Sequence, residues 1–173
     1  EKHVTEELSL VPISVYNKTK MVSERVLLSY TDTMKIHNIR PATVCGFSPR
    51  MRLDVSVNML AFQAFKNKKI TVFGGDQVRP NIHITDMVRV YNHFIEKGQE
   101  IESGNYNAGF ENISILQIAE MIASKLPAEI IVTESNDPRS YRQNSDKLIA
   151  TNFKKSYSVE NAIDELISKF QSG

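Results

Sequence analysis

From Tyr16 onward, apolar residues recur at spacings of three and four, at Met21, Val22, Val26, Leu27, Leu28, Tyr30 and Met34, and neither Gly nor Pro interrupts residues 15–39. That period predicts a helix of about five turns with two buried faces. The polar stretch before it, residues 1–14, carries Pro12 and reads as a loop. Ile39 to Cys45 is short and rich in Ile, Val and Thr, which suits an interior parallel strand entered from a helix. Gly46 and Pro49 then open a loop. A second helix is expected over Val57, Leu60, Ala61, Ala64 and Phe65, capped by Asp54 and closed by the cations of Lys66-Asn67-Lys68-Lys69 at the negative end of its dipole. Ile70 to Phe73 reads as a strand stopped by Gly74 and Gly75, and Ile82 to Ile84 as a second short extended piece. Thr85 or Asp86 opens a helix that ends at Gly98. The alternation continues with a strand at Tyr106 to Ala108, a helix from Ser114 to Leu126, and a strand from Ala128 to Thr133. After a polar stretch come short helices near Asp146 to Ala150 and Val159 to Phe170. Helices alternating with short apolar strands predict an α/β fold with a mainly parallel sheet.

Composition narrows the function classes. The chain has 173 residues, enough for one domain with a real core, and 41% apolar against 24% charged residues is an ordinary globular balance. With 21 basic and 20 acidic side chains it shows none of the basic excess of a nucleic-acid surface, so no nucleic-acid partner is expected. Cys45 is the single cysteine, which rules out a disulfide within the chain and a cysteine zinc site, and the four histidines lack metal-ligand spacing. No metal site is expected. No apolar run approaches the roughly 18 to 20 residues of a membrane span, so the expectation is a cytoplasmic protein without a membrane partner.

The segment Tyr16-Asn17-Lys18-Thr19-Lys20 sets a phenol and an ammonium at positions i and i+4, one above the other at the start of a helix. A cation beside a phenol favours the phenolate, which makes the tyrosine a candidate general acid or base for a sugar or alcohol hydroxyl. The same spacing also arises as a solvated pair on an exposed helix. His83, between two isoleucines, reads as a structural histidine, Asp86 as a helix cap, and Cys45, with no basic neighbour, as inert packing.

Context gives the pair more weight. Pro12-Ile13-Ser14 before Tyr-x-x-x-Lys, then Ile39-Arg40-Pro41-Ala42-Thr43-Val44-Cys45-Gly46, resembles the extended short-chain dehydrogenase/reductase family, in particular its nucleotide-sugar epimerases and dehydratases. The run Gly74 to Asp86 is similar to that family's substrate-clamping segment, Gly104 to Gly109 to its late strand, and Asp137-Pro138-Arg139-Ser140-Tyr141 followed by Asp146-Lys147-Leu148 completes the order. Ser48 to Asp54 further resembles a subgroup of heptose and deoxyhexose nucleotide modifiers.

The resemblance implies a fold and a site. The fold would be the C-terminal part of a Rossmann-type parallel sheet plus the small substrate-binding lobe. Residues 1–45 and 82–109 would belong to the core and 46–81 and 110–173 to the lobe, in a single truncated unit lacking the N-terminal dinucleotide-binding strands. Tyr16 would be the catalytic acid/base and Lys20 its electrostatic partner and ribose ligand. Pro41 and Val44 would meet the nicotinamide of NAD or NADP. Thr43 stands where relatives carry an asparagine touching the sugar or diphosphate, Arg79 and Arg139 would grip the diphosphate of a nucleoside-diphosphate sugar, and Arg52 and Asn58 would face the sugar or nucleotide.

None of the seven glycines precedes Gly46, so the chain holds no Gly-rich turn to cradle a pyrophosphate, and the family's Ser or Thr ahead of Tyr-x-x-x-Lys is absent. The expected behaviour is therefore that of a piece inactive by itself, which self-associates as a homo-oligomer or pairs with the missing half through an apolar sheet edge. The rival reading is a non-catalytic nucleotide-diphosphate-binding or assembly module.

Overall fold

A computed structural model of the chain describes residues 3–135 and 140–172. In chain order its elements are α1 (Val15–Leu28), β1 (His37–Pro41), β2 (Thr43–Cys45), α2 (Ser56–Asn67), β3 (Lys69–Phe73), β4 (Val78–His83), α3 (Ile84–Lys97), β5 (Gly104–Ala108), β6 (Glu111–Ser114), α4 (Ile115–Lys125), β7 (Glu129–Thr133), α5 (Asp146–Ala150) and α6 (Val159–Ser172). The strands form three small sheets among the described residues, ordered β1-β5, β2-β4-β6 and β3-β7. All neighbours are parallel except β4 and β6, so the α/β class with mainly parallel pairing is as expected.

Helical periodicity explains the larger hydrophobic cluster. Val57, Leu60, Ala61 and Ala64 of α2 and Val159, Ala162, Ile163, Leu166 and Ile167 of α6 recur at i, i+3, i+4 and i+7, so each helix turns one fully apolar stripe inward. These stripes meet Ile118, Ala119 and Ile122 of α4 and close over Ile70 and Val72 of β3. Each fully buried Ile or Leu in this cluster contributes roughly 1.5–3 kcal/mol. A reciprocal capping box fixes the start of α4, with Ser114 Oγ accepting from Gln117 N and Gln117 Oε1 accepting from Ser114 N. A second cluster joins Ala42, Ile82, Met87, Val90, Tyr106, Ala108, Leu148 and Phe153, that is, α3 and α5 against β4 and β5.

Several elements differ from the sequence expectation, each for a local reason. The first helix stops at Leu28 instead of running towards Ile39, because hydroxyls turn back on the backbone: Ser29 Oγ donates to Val26 O at 2.8 Å, Thr31 Oγ1 to Leu28 O at 3.0 Å and Thr33 Oγ1 to Tyr30 O at 2.9 Å. Neither face of α1 is buried; the helix has no buried residue at all. Its tie to the sheet is polar. Arg40 of β1 grips Glu24 with both forks, Nε to Oε1 at 2.9 Å and Nη2 to Oε2 at 2.6 Å, with side-chain exposures of 16% and 19%.

The expected strand from Ile39 to Cys45 is two strands. At Ala42, whose N–H donates to Ala108 O at 2.8 Å, the chain leaves β5 and pairs next with β4. β4 is longer than its apolar part, because the polar β6, which carries no alternating pattern, pairs with Val78 to Asn81. Asp54 does not cap α2; Val55 occupies that position without a side-chain bond. The N-cap of α3 is His83, not Thr85 or Asp86, with Nδ1 accepting from Thr85 N at 3.1 Å. Asp86 is completely buried and caps other donors, accepting from Ser156 N at 2.9 Å and Tyr157 N at 2.9 Å ahead of α6.

Candidate active site

A cavity of about 510 Å³ opens where the C-terminal ends of β1 and β2 meet the first turns of α1 and α3 and the 46–55 loop. Strand ends of one direction and helix N-termini converge there, the arrangement by which open α/β sheets build ligand crevices. Tyr16, Pro41, Thr43, Val44, Arg52 and Asn58 all line it, so six of the expected site residues from three separate stretches of sequence share one cleft.

Tyr16 is placed by its helix start. Ser14 is the N-cap, its Oγ accepting from Asn17 N at 3.1 Å, and Tyr16 follows on the first turn with its side chain 68% exposed. Lys20 holds its ammonium over the Tyr16 ring, 5.4 Å from the centroid, a cation–π contact with the ring face. Lys20 itself lines a different groove, of about 420 Å³, between α1 and α3. Pro41, Ala42 and Val44 form an apolar wall.

The floor is a rigid turn. Gly46 has φ +107°, and a Cβ there would stand 3.2 Å from both His83 Nε2 and Ile84 Cγ2, so both backbone freedom and space demand glycine. Asn58, 2% exposed, staples this turn: Oδ1 accepts from Gly46 N at 3.0 Å, while Nδ2 donates to Gly46 O at 3.3 Å and to Arg52 O at 3.1 Å. Both amide hydrogens of Asn58 are thereby spent on the loop. Arg52 pairs with Asp54, Nε to Oδ1 at 2.9 Å and Nη2 to Oδ2 at 2.6 Å. The hydrogen bonds and charge of Asp54 hold the Arg52 guanidinium more firmly protonated, with a smaller contribution from Tyr16, and Arg52 in turn keeps the Asp54 carboxyl below its ordinary range.

Beneath the cleft, Cys45 is 1% exposed, and burial, aided by the Glu111 charge, pushes its thiol up to about 12. That fits the expected packing role. His83 is buried and stacked on Tyr157 at 4.8 Å. Because Nδ1 accepts from Thr85 N, Nε2 carries the proton of the neutral ring. Nε2 lies 3.2 Å from Glu165 Oε2 at an angle that does not make a hydrogen bond.

Arg79 sits on β4 opposite Ile113 of β6, outside the cavity lining, and Arg139 lies outside the described residues. Ser48 and Arg50, which stand in the Ser48 to Asp54 run but not among the expected site residues, also line the cleft. The available signal was the Ser48-Pro49-Arg50-Met51 turn, closed by Met51 N to Ser48 O at 3.1 Å. The apolar wall suits one face of a nicotinamide ring, whereas the sequence supplies no Gly-rich turn for a dinucleotide pyrophosphate.

Known proteins share this architecture. An uncharacterized UDP-glucose epimerase of Bacillus subtilis is 29% identical over 120 residues, covering 69% of this chain and 38% of the relative. The crystal structure of UDP-glucuronic acid 4-epimerase from Bacillus cereus in complex with NAD superposes with a TM-score of 0.83 at 25% identity, over 99% of this chain and 57% of that one. The dTDP-glucose 4,6-dehydratase of Bacillus anthracis in complex with NAD gives a TM-score of 0.84 at 23% identity, over 99% and 56% of the two chains. The chain spans 27–55% of the length of the curated relatives it matches. The model of the NAD dependent epimerase/dehydratase family matches residues 1–109, well over half of the sequence, and with the fold and cleft in agreement the chain belongs to that family.

Proposed function

We propose that this chain forms the Tyr/Lys catalytic and substrate-binding portion of an NAD-dependent nucleotide-sugar epimerase or dehydratase. The observation that carries the reading is the gathering of Tyr16, Pro41, Thr43 and Val44 in one cleft at the ends of parallel strands. NAD would supply the hydride acceptor for oxidation of a sugar carbon, usually C4. In that step Tyr16 takes the hydroxyl proton at its phenolic oxygen as the carbon gives up hydride, leaving a ketone. The Lys20 ammonium stands over the ring, 5.4 Å from its centroid, and so keeps a positive charge beside the reacting phenol. Pro41 and Val44 would hold one face of the nicotinamide, and the Thr43 hydroxyl would meet the sugar or diphosphate. Arg79 and Arg139 remain candidates for the diphosphate. The exposed apolar side chains of α1, among them Val15, Val22, Val26 and Leu27, and the second edge of β1, unpaired among the described residues, support association with another copy or with a polypeptide supplying the dinucleotide turn.

The test is Tyr16→Phe, assayed in the full-length protein that carries this segment with its dinucleotide turn. Turnover is expected to fall by about 10²- to 10⁴-fold while sugar-nucleotide affinity holds; near-normal turnover overturns the role. The second reading, a nucleotide-diphosphate-binding module without redox chemistry, is favoured by the lack of a Gly-rich turn in this sequence. Calorimetry with NAD and with nucleoside diphosphates separates the two when it is run on the full-length protein used for Tyr16→Phe. The module binds nucleoside diphosphates and not NAD, whereas the catalytic portion binds both once the dinucleotide turn is supplied.

A further inference from the structure

We propose that Arg50, rather than Arg52, is the arginine through which this cleft engages an anionic group of its substrate. The inference rests on the reading of the cleft as a nucleotide-sugar site, and it assigns the loop's two arginines different tasks. Among the side chains lining the cavity the formal charges are Arg50 and Arg52, and no carboxylate is among them. Asp54, in the same loop, is taken up by Arg52 in a two-pronged pair, with both of its oxygens engaged. Arg52 is also held from behind, since its carbonyl accepts from Asn58. Its fork is therefore occupied and its backbone pinned, so Arg52 shapes the wall of the cleft.

Arg50 is the opposite case. Its guanidinium has no ion pair and no hydrogen bond among the described residues, and it is exposed at the tip of the Ser48 to Met51 turn on the cavity rim. With Asp54 cancelling Arg52, the rim keeps one uncompensated positive charge carried by a planar group with five donors. That group matches the paired oxygens of a phosphate or carboxylate. The chemistry recognised is thus an anionic oxygen pair, either on the substrate diphosphate or on the sugar itself.

The wild-type chain is titrated by calorimetry with UDP-, dTDP- and GDP-linked hexoses, and the tightest of them is carried to the variants. Arg50→Gln is expected to weaken binding by about ten- to a hundredfold, the loss typical of a charge-assisted hydrogen-bond pair. It should also flatten the dependence of affinity on salt. Arg50→Lys keeps the charge without the fork and should fall between. Arg52→Gln should cost less than Arg50→Gln. Repeating the comparison on the matching hexuronate separates the two sources: an equal loss on both ligands assigns Arg50 to the diphosphate, a larger loss on the hexuronate assigns it to a sugar carboxylate. Wild-type affinity in Arg50→Gln, or a larger loss in Arg52→Gln, overturns the proposal while leaving the cleft reading intact. Failure of the wild-type chain to bind every sugar nucleotide removes that reading and this inference together. Because Arg50 makes no hydrogen bond or ion pair among the described residues, an unchanged thermal melt in Arg50→Gln confirms that the fold is preserved.

Discussion

Replacing Asn58 tests how the floor of the cleft is held. Asn58→Ala removes three hydrogen bonds, at 3.0, 3.3 and 3.1 Å, from a side chain that is 2% exposed. At about 1 kcal/mol net apiece the loss is about 3 kcal/mol. The Gly46 N–H, itself buried, is then left without an acceptor, which raises the total towards about 5 kcal/mol. For a chain with total stability of about 5–15 kcal/mol this is a large share. Urea unfolding followed by far-ultraviolet circular dichroism measures it: with a slope of about 2 kcal/mol per molar urea, the midpoint drops by about 1.5–2.5 M. Asn58→Asp sharpens the test, because it keeps the acceptor for Gly46 N but turns the second oxygen against the carbonyls of Gly46 and Arg52. An ionised carboxylate there is buried against two acceptors, so Asp is expected to be at least as damaging as Ala at neutral pH. Acid returns one O–H donor to the Asp variant, so its deficit should shrink as pH falls while that of Ala does not. A loss below about 1 kcal/mol in Asn58→Ala, or a pH-independent deficit in Asn58→Asp, refutes the staple.

Two further outcomes concern the surroundings of the cleft. The Cys45 thiol, ordinarily ionising near 9, is held protonated up to about 12 by burial and the Glu111 charge, so between those limits only the unfolded chain releases the proton. Stability from this group is complete below the lower limit and declines as pH rises through the window; Cys45→Ala should show a shallower alkaline decline, and an identical slope in urea titrations across that range contradicts the assignment. Arg40→Leu removes the two-pronged grip on Glu24 that ties α1 to β1. Hydrogen exchange should then report the amides of α1 opening at a cost lower by about 1–3 kcal/mol, with α2 and α6 unchanged; unaltered protection of α1 means another contact holds the Tyr16 helix.

The cleft was legible in the sequence to the extent that its residues sit in ordered motifs. Tyr16 is marked by a local pattern, a phenol four residues ahead of an ammonium at a helix start, whereas Pro41, Thr43, Val44, Arg52 and Asn58 are named only through the resemblance of their motifs to the epimerase/dehydratase family. Their tasks were less legible. Asn58 reads equally well as a ligand or as a staple until the chain brings Gly46 and Arg52 within reach of its amide, 12 and 6 residues away. Asp86 has the spacing of a cap, yet the N–H groups it caps belong to Ser156 and Tyr157, 70 and 71 residues on. β6 escaped notice since Glu111-Asn112-Ile113-Ser114 owes its extension to pairing with β4 and not to its own propensity.

What the sequence determined by itself was the alternation of helices and strands, the apolar stripes of α2, α4 and α6, and the Tyr-x-x-x-Lys helix start, because periodicity, capping and glycine conformation act over a few residues. Tertiary structure alone decided that Ile39 to Cys45 divides between two sheets, that α1 buries neither face and is tied to β1 by an ion pair, and that Arg52 is paired while Arg50 has no partner among the described residues. Those outcomes depend on which distant groups arrive beside a residue, and hydrogen bonds and charge pairs are satisfied by neighbours in space, wherever they stand along the chain.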